Sequence, residues 1–74
     1  MTNNDILRRI RYAFDYNDSK MMAIFDLAGS PVTREQLSAW LKKDDDPAFQ
    51  ECADINLAIF LNGLISYRRG KKEG

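Results

Sequence analysis

The stretch Asp54–Tyr67, DINLAIFLNGLISY, decides how this chain folds. It is apolar on nearly every side, too long for a strand and free of proline. A helix that is hydrophobic all round has to be enclosed by protein or by membrane. Its run of about a dozen apolar residues, broken by Asn56 and Asn62, falls short of the roughly 20 needed to span a bilayer. The segment is therefore expected to be the central post of a small helical domain, wrapped by the rest of the chain.

Working outward, the best-defined signal upstream is the start of a third helix. Thr33 with Gln36 three residues on makes a capping box, Val32 and Leu37 stand at staple spacing, and Pro31 stiffens the approach. Leu37, Trp40 and Leu41 then share one face to about Lys43. Asp44 to Asp46 follow, and Pro47 suits the first position of one short turn carrying Phe49. The last helix begins at Ala53 or Asp54 and ends with Arg68 and Arg69 at its negative pole, then Gly70. Nearer the N-terminus, Ile6, Leu7, Ile10, Ala13 and Phe14 recur at helical spacing from Asp5 to about Tyr16, with Asn4 as cap and Arg8, Arg9 and Arg11 mostly on the other side. Asn17-Asp18 breaks the pattern. Asp18 or Ser19 caps a second helix from Lys20 to Ala28, with Met21, Ile24, Phe25 and Ala28 as core candidates and Gly29 as a left-handed terminator. Neither strand alternation nor an internal repeat is visible. The reading is all-α: a compact bundle of four main helices plus one short helical turn, one domain over residues 1–70 and a polar, frayed tail over 71–74.

Composition narrows the function classes. Seventy-four residues make one domain near the lower size limit for folding without staples, and 45% apolar residues supply one core. Eleven basic residues balance eleven acidic ones, so strong sequence-independent binding of phosphate is not supported. Cys52 stands alone, which excludes an internal disulfide and fits a reducing compartment; its apolar and acidic flanks favour a packed thiol over a nucleophile. Histidine is absent, which removes the usual general base and makes a zinc site improbable. No catalytic residues, metal or cofactor are expected, and the chain is read as not an enzyme. The start Met-Thr-Asn-Asn-Asp carries no basic-then-apolar leader, so a cytoplasmic protein without a membrane segment is expected.

Four features invite a sharper reading. The second and third helices, joined at Gly29 to Thr33, look like a helix-turn-helix in the middle of the chain. In a major groove Thr33, Arg34, Gln36 and Ser38 would lie near bases, with Lys42 and Lys43 near phosphates. The balanced charge and Glu35 at the reading end argue against nucleic acid, and such helix pairs are common in structural bundles. Arg8, Arg9 and Arg11, with Arg68, Arg69, Lys71 and Lys72, could converge into a phosphate-binding strip, or simply be a solvated face and a dipole-complementing tail. Asp44 to Asp46, with Glu51 and Asp54, lack the alternation and glycine of a calcium loop and read as a soluble loop. Gly63 inside the apolar helix suggests that another backbone passes close by, which would bury Asn62 against a hydrogen-bond partner. Intramolecular packing is the default there; the alternative is a self-association face built on Phe60, Asn62, Gly63 and Leu64.

The blocks NDILRRIRYAF (Asn4–Phe14), EQLSAWLKKDD (Glu35–Asp45), FQECADI (Phe49–Ile55) and FLNGLISYRRGK (Phe60–Lys71) resemble the bacterial YehS-like family, small proteins of unknown function. The resemblance covers nearly the whole chain. It implies two copies of this unit in one longer chain, whereas here there is one copy that stops where a linker would begin. A natural single unit and an excised first half are both compatible with that. The family brings no activity, cofactor or catalytic residue to carry over; what it implies is pairing. The preferred reading is a non-enzymatic helical interaction module that forms a homodimer, or pairs with a second copy of the unit, through the last helix or helix one. A nucleic-acid-binding helix-turn-helix is the alternative.

Overall fold

The computed structural model describes residues 1–70, and the expected tail, Lys71 to Gly74, lies outside the described residues. Four helices follow one another: α1 (Asn3–Phe14), α2 (Asp18–Leu27), α3 (Arg34–Leu41) and α4 (Asp54–Arg68).

The starts of α1, α2 and α3 are each set by a short polar side chain that satisfies an orphan N–H, whereas α4 follows Ala53 with no side-chain cap. Thr2, not Asn4, caps α1: its hydroxyl accepts from the Asp5 N–H at 3.2 Å while the Asp5 carboxylate accepts from the Thr2 N–H at 3.1 Å. This reciprocal box satisfies two donors where a lone asparagine would satisfy one, so α1 starts earlier than its apolar spacing suggests. Asn17, not Asp18 or Ser19, caps α2, its Oδ1 accepting from Lys20 N–H at 2.8 Å. Thr33 caps α3 as expected, but only half of that box is made, because the Gln36 side chain donates to Gln50 Oε1 at 3.0 Å. Gly29 takes the left-handed conformation, φ 80, that stops α2. Lys42 turns extended and ends α3 short of Lys43. Around Pro47 the backbone makes single turns, Asp46 N–H to Lys43 O and Phe49 N–H to Asp46 O.

The core is one cluster of Leu7, Met21, Ile24, Phe25, Leu37, Trp40, Cys52 and Phe60. Phe25 is its hub, with ring centroids 5.6 Å from Trp40 and 5.0 Å from Phe60. The close pairing of α2 with α4 requires Gly63: a Cβ there would collide with the Ile24 carbonyl oxygen and sit 3.1 Å from the Ala28 Cβ. The expected close backbone approach is thus real. Ala13 and Phe14, expected inside, are exposed. The inward line of α1 instead runs through Asn4 and Leu7, one turn apart, so the end of the helix rolls outward.

Asn4 explains that phase. It is buried, and its amide nitrogen donates to the carbonyls of Trp40 (2.9 Å) and Gln50 (2.8 Å) while its Oδ1 accepts from Cys52 N–H at 3.0 Å. One side chain thereby satisfies three backbone groups, one in the last turn of α3 and two in the non-helical segment between α3 and α4. Asn3 adds donors to Cys52 O (3.0 Å) and Asp54 Oδ1 (2.6 Å), and Arg8 donates to Lys42 O (2.8 Å). The first turns of α1 therefore hold both the exit from α3 and the entry to α4.

The central-post expectation needs correction. Phe60 is fully buried, and Leu57, Ile59, Leu64 and Tyr67 pack part-buried against the core. Yet Ile55 is 66% exposed, Ile65 54% and Leu61 37%. Helices of 12, 10 and 8 residues cannot wrap one of 15, and α4 lies along one side of the bundle with a face toward solvent.

Candidate functional site

That outward face of α4 is the candidate site. At 100° per residue, Ile55, Ala58, Asn62 and Ile65 all fall within about 40° of the direction opposite Phe60. Their spacing, i, i+3, i+7 and i+10, is that of a helix–helix seam. All four are exposed, and Leu61 borders them. Glu51 and Asp54 lie exposed at the N-terminal end of this stripe, and Arg68 and Arg69 at the other.

Of the residues expected to form a self-association face, the structure turns two away from it. Phe60 and Gly63 are buried against α2, Leu64 is half-buried, and only Asn62 faces outward. Asn62 needs no buried partner, because water reaches it. Ile55, Ala58, Leu61 and Ile65 were missed; phasing the helix with Gly63 inward points to Ala58, Leu61 and Ile65 on the opposite side, whereas Ile55, about 80° from Gly63, is placed outward only once Phe60 is known to face the core.

Other candidates are engaged within the chain. Arg34 reaches Asp18 at 3.6 Å and Ser19 Oγ at 3.5 Å, and Gln36 is held by Gln50. Ser38 and Lys42 are half-buried and line a cleft of about 200 Å³ with Arg8 and Arg11, while Lys43 is exposed beyond the end of α3. Arg8 pairs with Asp5, and Arg11 with Asp18 at 3.5 Å. Arg68 covers the Phe14 ring at 5.1 Å; Lys71 and Lys72 lie outside the described residues. Phe14 also stacks on Tyr16 at 5.2 Å, so the exposed end of α1 is already partly roofed. Asp46 uses its carboxylate to hold the Ala48 N–H.

Three titratable groups are shifted. The Thr2 N–H above all, helped by Arg8, keeps the Asp5 carboxyl below its ordinary value of 3.8. Burial, then the Asp54 charge, pushes the Cys52 thiol up, away from reactive thiolate. Lys20 donates to the Tyr67 hydroxyl at 2.6 Å, and that bond raises its ammonium. Among the described residues, no three His, Cys, Asp or Glu side chains gather to hold a metal, and no helix is long and apolar enough to cross a membrane.

A short helical unit with a polar clamp from its first helix to the segment between α3 and α4, and an apolar outer stripe, is what the chain presents. The family described as protein of unknown function DUF1456 matches residues 3–70, and the chain belongs to that family. It is 47% identical over 73 residues to the uncharacterized protein YehS of Escherichia coli (strain K12), a match covering 99% of this chain and 47% of that relative. The chain thus spans about half the length of the curated relative it matches. No solved structure matches it.

Proposed function

We propose that the chain is a non-enzymatic helical association module, and that a second copy of the same unit covers the outer face of α4. The observation that carries this reading is the exposed stripe of Ile55, Ala58 and Ile65 around Asn62, bordered by Leu61, on a helix whose opposite side is core. Isolated exposed apolar residues are ordinary, but a line of them over three turns marks a contact surface. The two-unit habit implied by the family resemblance supports a like partner rather than an unlike one.

The magnitude sets what to expect. Burying a whole isoleucine side chain is worth about 1.5–3 kcal/mol, so the bare parts of Ile55 and Ile65 on two copies contribute on the order of 5 kcal/mol. Association in solution costs roughly 4–15 kcal/mol, so the free pair is weak and tethering would strengthen it greatly. Sedimentation from low to about 1 mM concentration tests the reading, with a dissociation constant expected above about 100 µM. Mass should rise with concentration in the unmodified chain and stay at 8.5 kDa for Ile65→Glu. An unmodified chain that remains at 8.5 kDa throughout would remove the proposal.

A further inference from the structure

The outer stripe is a palindrome in position. Ile55 and Ile65 lie five residues either side of Phe60, and Ala58 and Asn62 two residues either side. From this we infer that two copies meet through α4 in an antiparallel, two-fold arrangement centred on residue 60, a geometry that rests on the association reading above.

In a two-fold contact, residue i of one copy meets residue j of the other and j meets i. Running the second α4 antiparallel sets each Ile55 on the other copy's Ile65 and each Ala58 against the other copy's Asn62. The small Ala58 lets the axes approach to the usual distance of about 8–10 Å. The same operation brings the acidic entry of one helix, Asp54 in its first turn and Glu51 in the approach to it, to the basic exit of the other, Arg69. A parallel pair would instead place acid on acid and Arg69 on Arg69, and align the two helix dipoles unfavourably. Charge and dipole therefore choose one orientation for a stripe whose apolar spacing fits both. The N-terminal turn of α4 is held in place by Asn3 and Asn4, so Ile55 is presented at a defined point on the bundle.

Two independent measurements on the full chain test the geometry. Ile55→Cys and Ile65→Cys are made separately, the native Cys52 being buried at 1% exposure. In the antiparallel pair, like positions are about 15 Å apart along the axis, too far for a disulfide, whereas 55 faces 65. Under mild oxidation neither variant alone should cross-link, and an equal mixture should give a covalent pair joined 55 to 65. Cross-linking by each variant alone, with none between them in the mixture, would overturn the antiparallel seam while leaving association intact. A cross-link in no combination, from a chain that still sediments as a pair, would place the contact on another face and overturn it equally. The second measurement uses Arg69→Glu and Glu51→Arg. Each alone sets like charges across the seam at both ends; mixed, the two variants restore both pairs. The mixture should associate about tenfold more tightly than either variant, with the gap closing at high salt. Equal association in all three samples would refute the charge alignment. A monomeric unmodified chain would remove both readings together.

Discussion

Consider Gly63→Ala in the middle of α4. At an open helical position this change stabilises by about 1 kcal/mol, because glycine is the poorer helix former. Here the added methyl would enter the Ile24 carbonyl oxygen, with the Ala28 Cβ at 3.1 Å on its other side. Neither neighbour has a rotamer to yield. The carbonyl belongs to α2 backbone, and Ala28 has no side chain to swing. The helices must part by roughly 0.5 Å or more, and a gap of that size forfeits a quarter to a half of the dispersion energy of the contacts it opens. Those contacts include Phe25 on Phe60, at 5.0 Å between centroids. Overpacking of this kind costs about 1–3 kcal/mol. Taking the upper end, and subtracting the helix gain, leaves a net loss of about 1–2 kcal/mol. A domain of 74 residues is held by roughly 4–11 kcal/mol, so the change is large. Urea unfolding followed by helical circular dichroism and by Trp40 fluorescence reads it directly. With a slope near 1 kcal/mol/M, the midpoint should fall by about 1–2 M. Gly29→Ala is the control: it is strained by its positive φ but meets nothing within 4 Å, so the native Trp40 spectrum should not change. An unchanged or raised midpoint for Gly63→Ala would show that α2 and α4 are not held backbone to backbone.

Asn4→Leu leaves the carbonyls of Trp40 and Gln50 and the N–H of Cys52 without partners, and should destabilise by about 3 kcal/mol or more; a loss under about 1 kcal/mol in urea titration would refute the clamp. Asp5 is held below its ordinary 3.8, so its contribution is present above that value and lost as pH falls through its lower, folded-state value. Asp5→Asn should therefore flatten the acid limb of the urea midpoint below about pH 4, and parallel limbs for the two proteins would sink the assignment. Cys52, buried and pushed up, should label with a thiol reagent at a rate that follows the unfolded fraction in added urea; rapid labelling of the folded chain would contradict its packing.

What could be read from sequence was whatever rests on neighbours in the chain. The Thr33 cap, the Gly29 stop and the recurrence of Met21, Ile24 and Phe25 need only a few residues each, and they stand as expected. Gly63 was legible too, because a glycine inside a helix costs stability that some close approach must offset. Asn4 was not. An asparagine at a helix start reads as a cap, and its actual partners lie 36 to 48 residues away. With Asn4 misplaced, the phase of α1 was misjudged, and Ala13 and Phe14 were set inside. The outer face of α4 failed for another reason. A helix apolar all round gives no amphipathic signal, so periodicity alone cannot say which side meets the bundle and which meets something else.

These two illegible features are connected. The Asn4 amide and the Asn3 side chain fix where α4 begins, and Gly63 fixes how closely it lies on α2. Position and roll of α4 are thus both set by polar or backbone contacts rather than by a larger apolar surface on its inner side. The inner side needs only Phe60 fully buried, with Leu57, Leu64 and Tyr67 around it, to complete the core. The isoleucines at 55 and 65 add nothing to that core. Their bare parts, over half of each residue, contribute no stability to the monomer and raise its tendency to associate. Replacing them by polar residues should leave the unfolding midpoint within about 0.5 kcal/mol of the parent at concentrations where the chain is a monomer. Any stability they do confer should then grow with protein concentration, which is how burial between two molecules differs from burial within one.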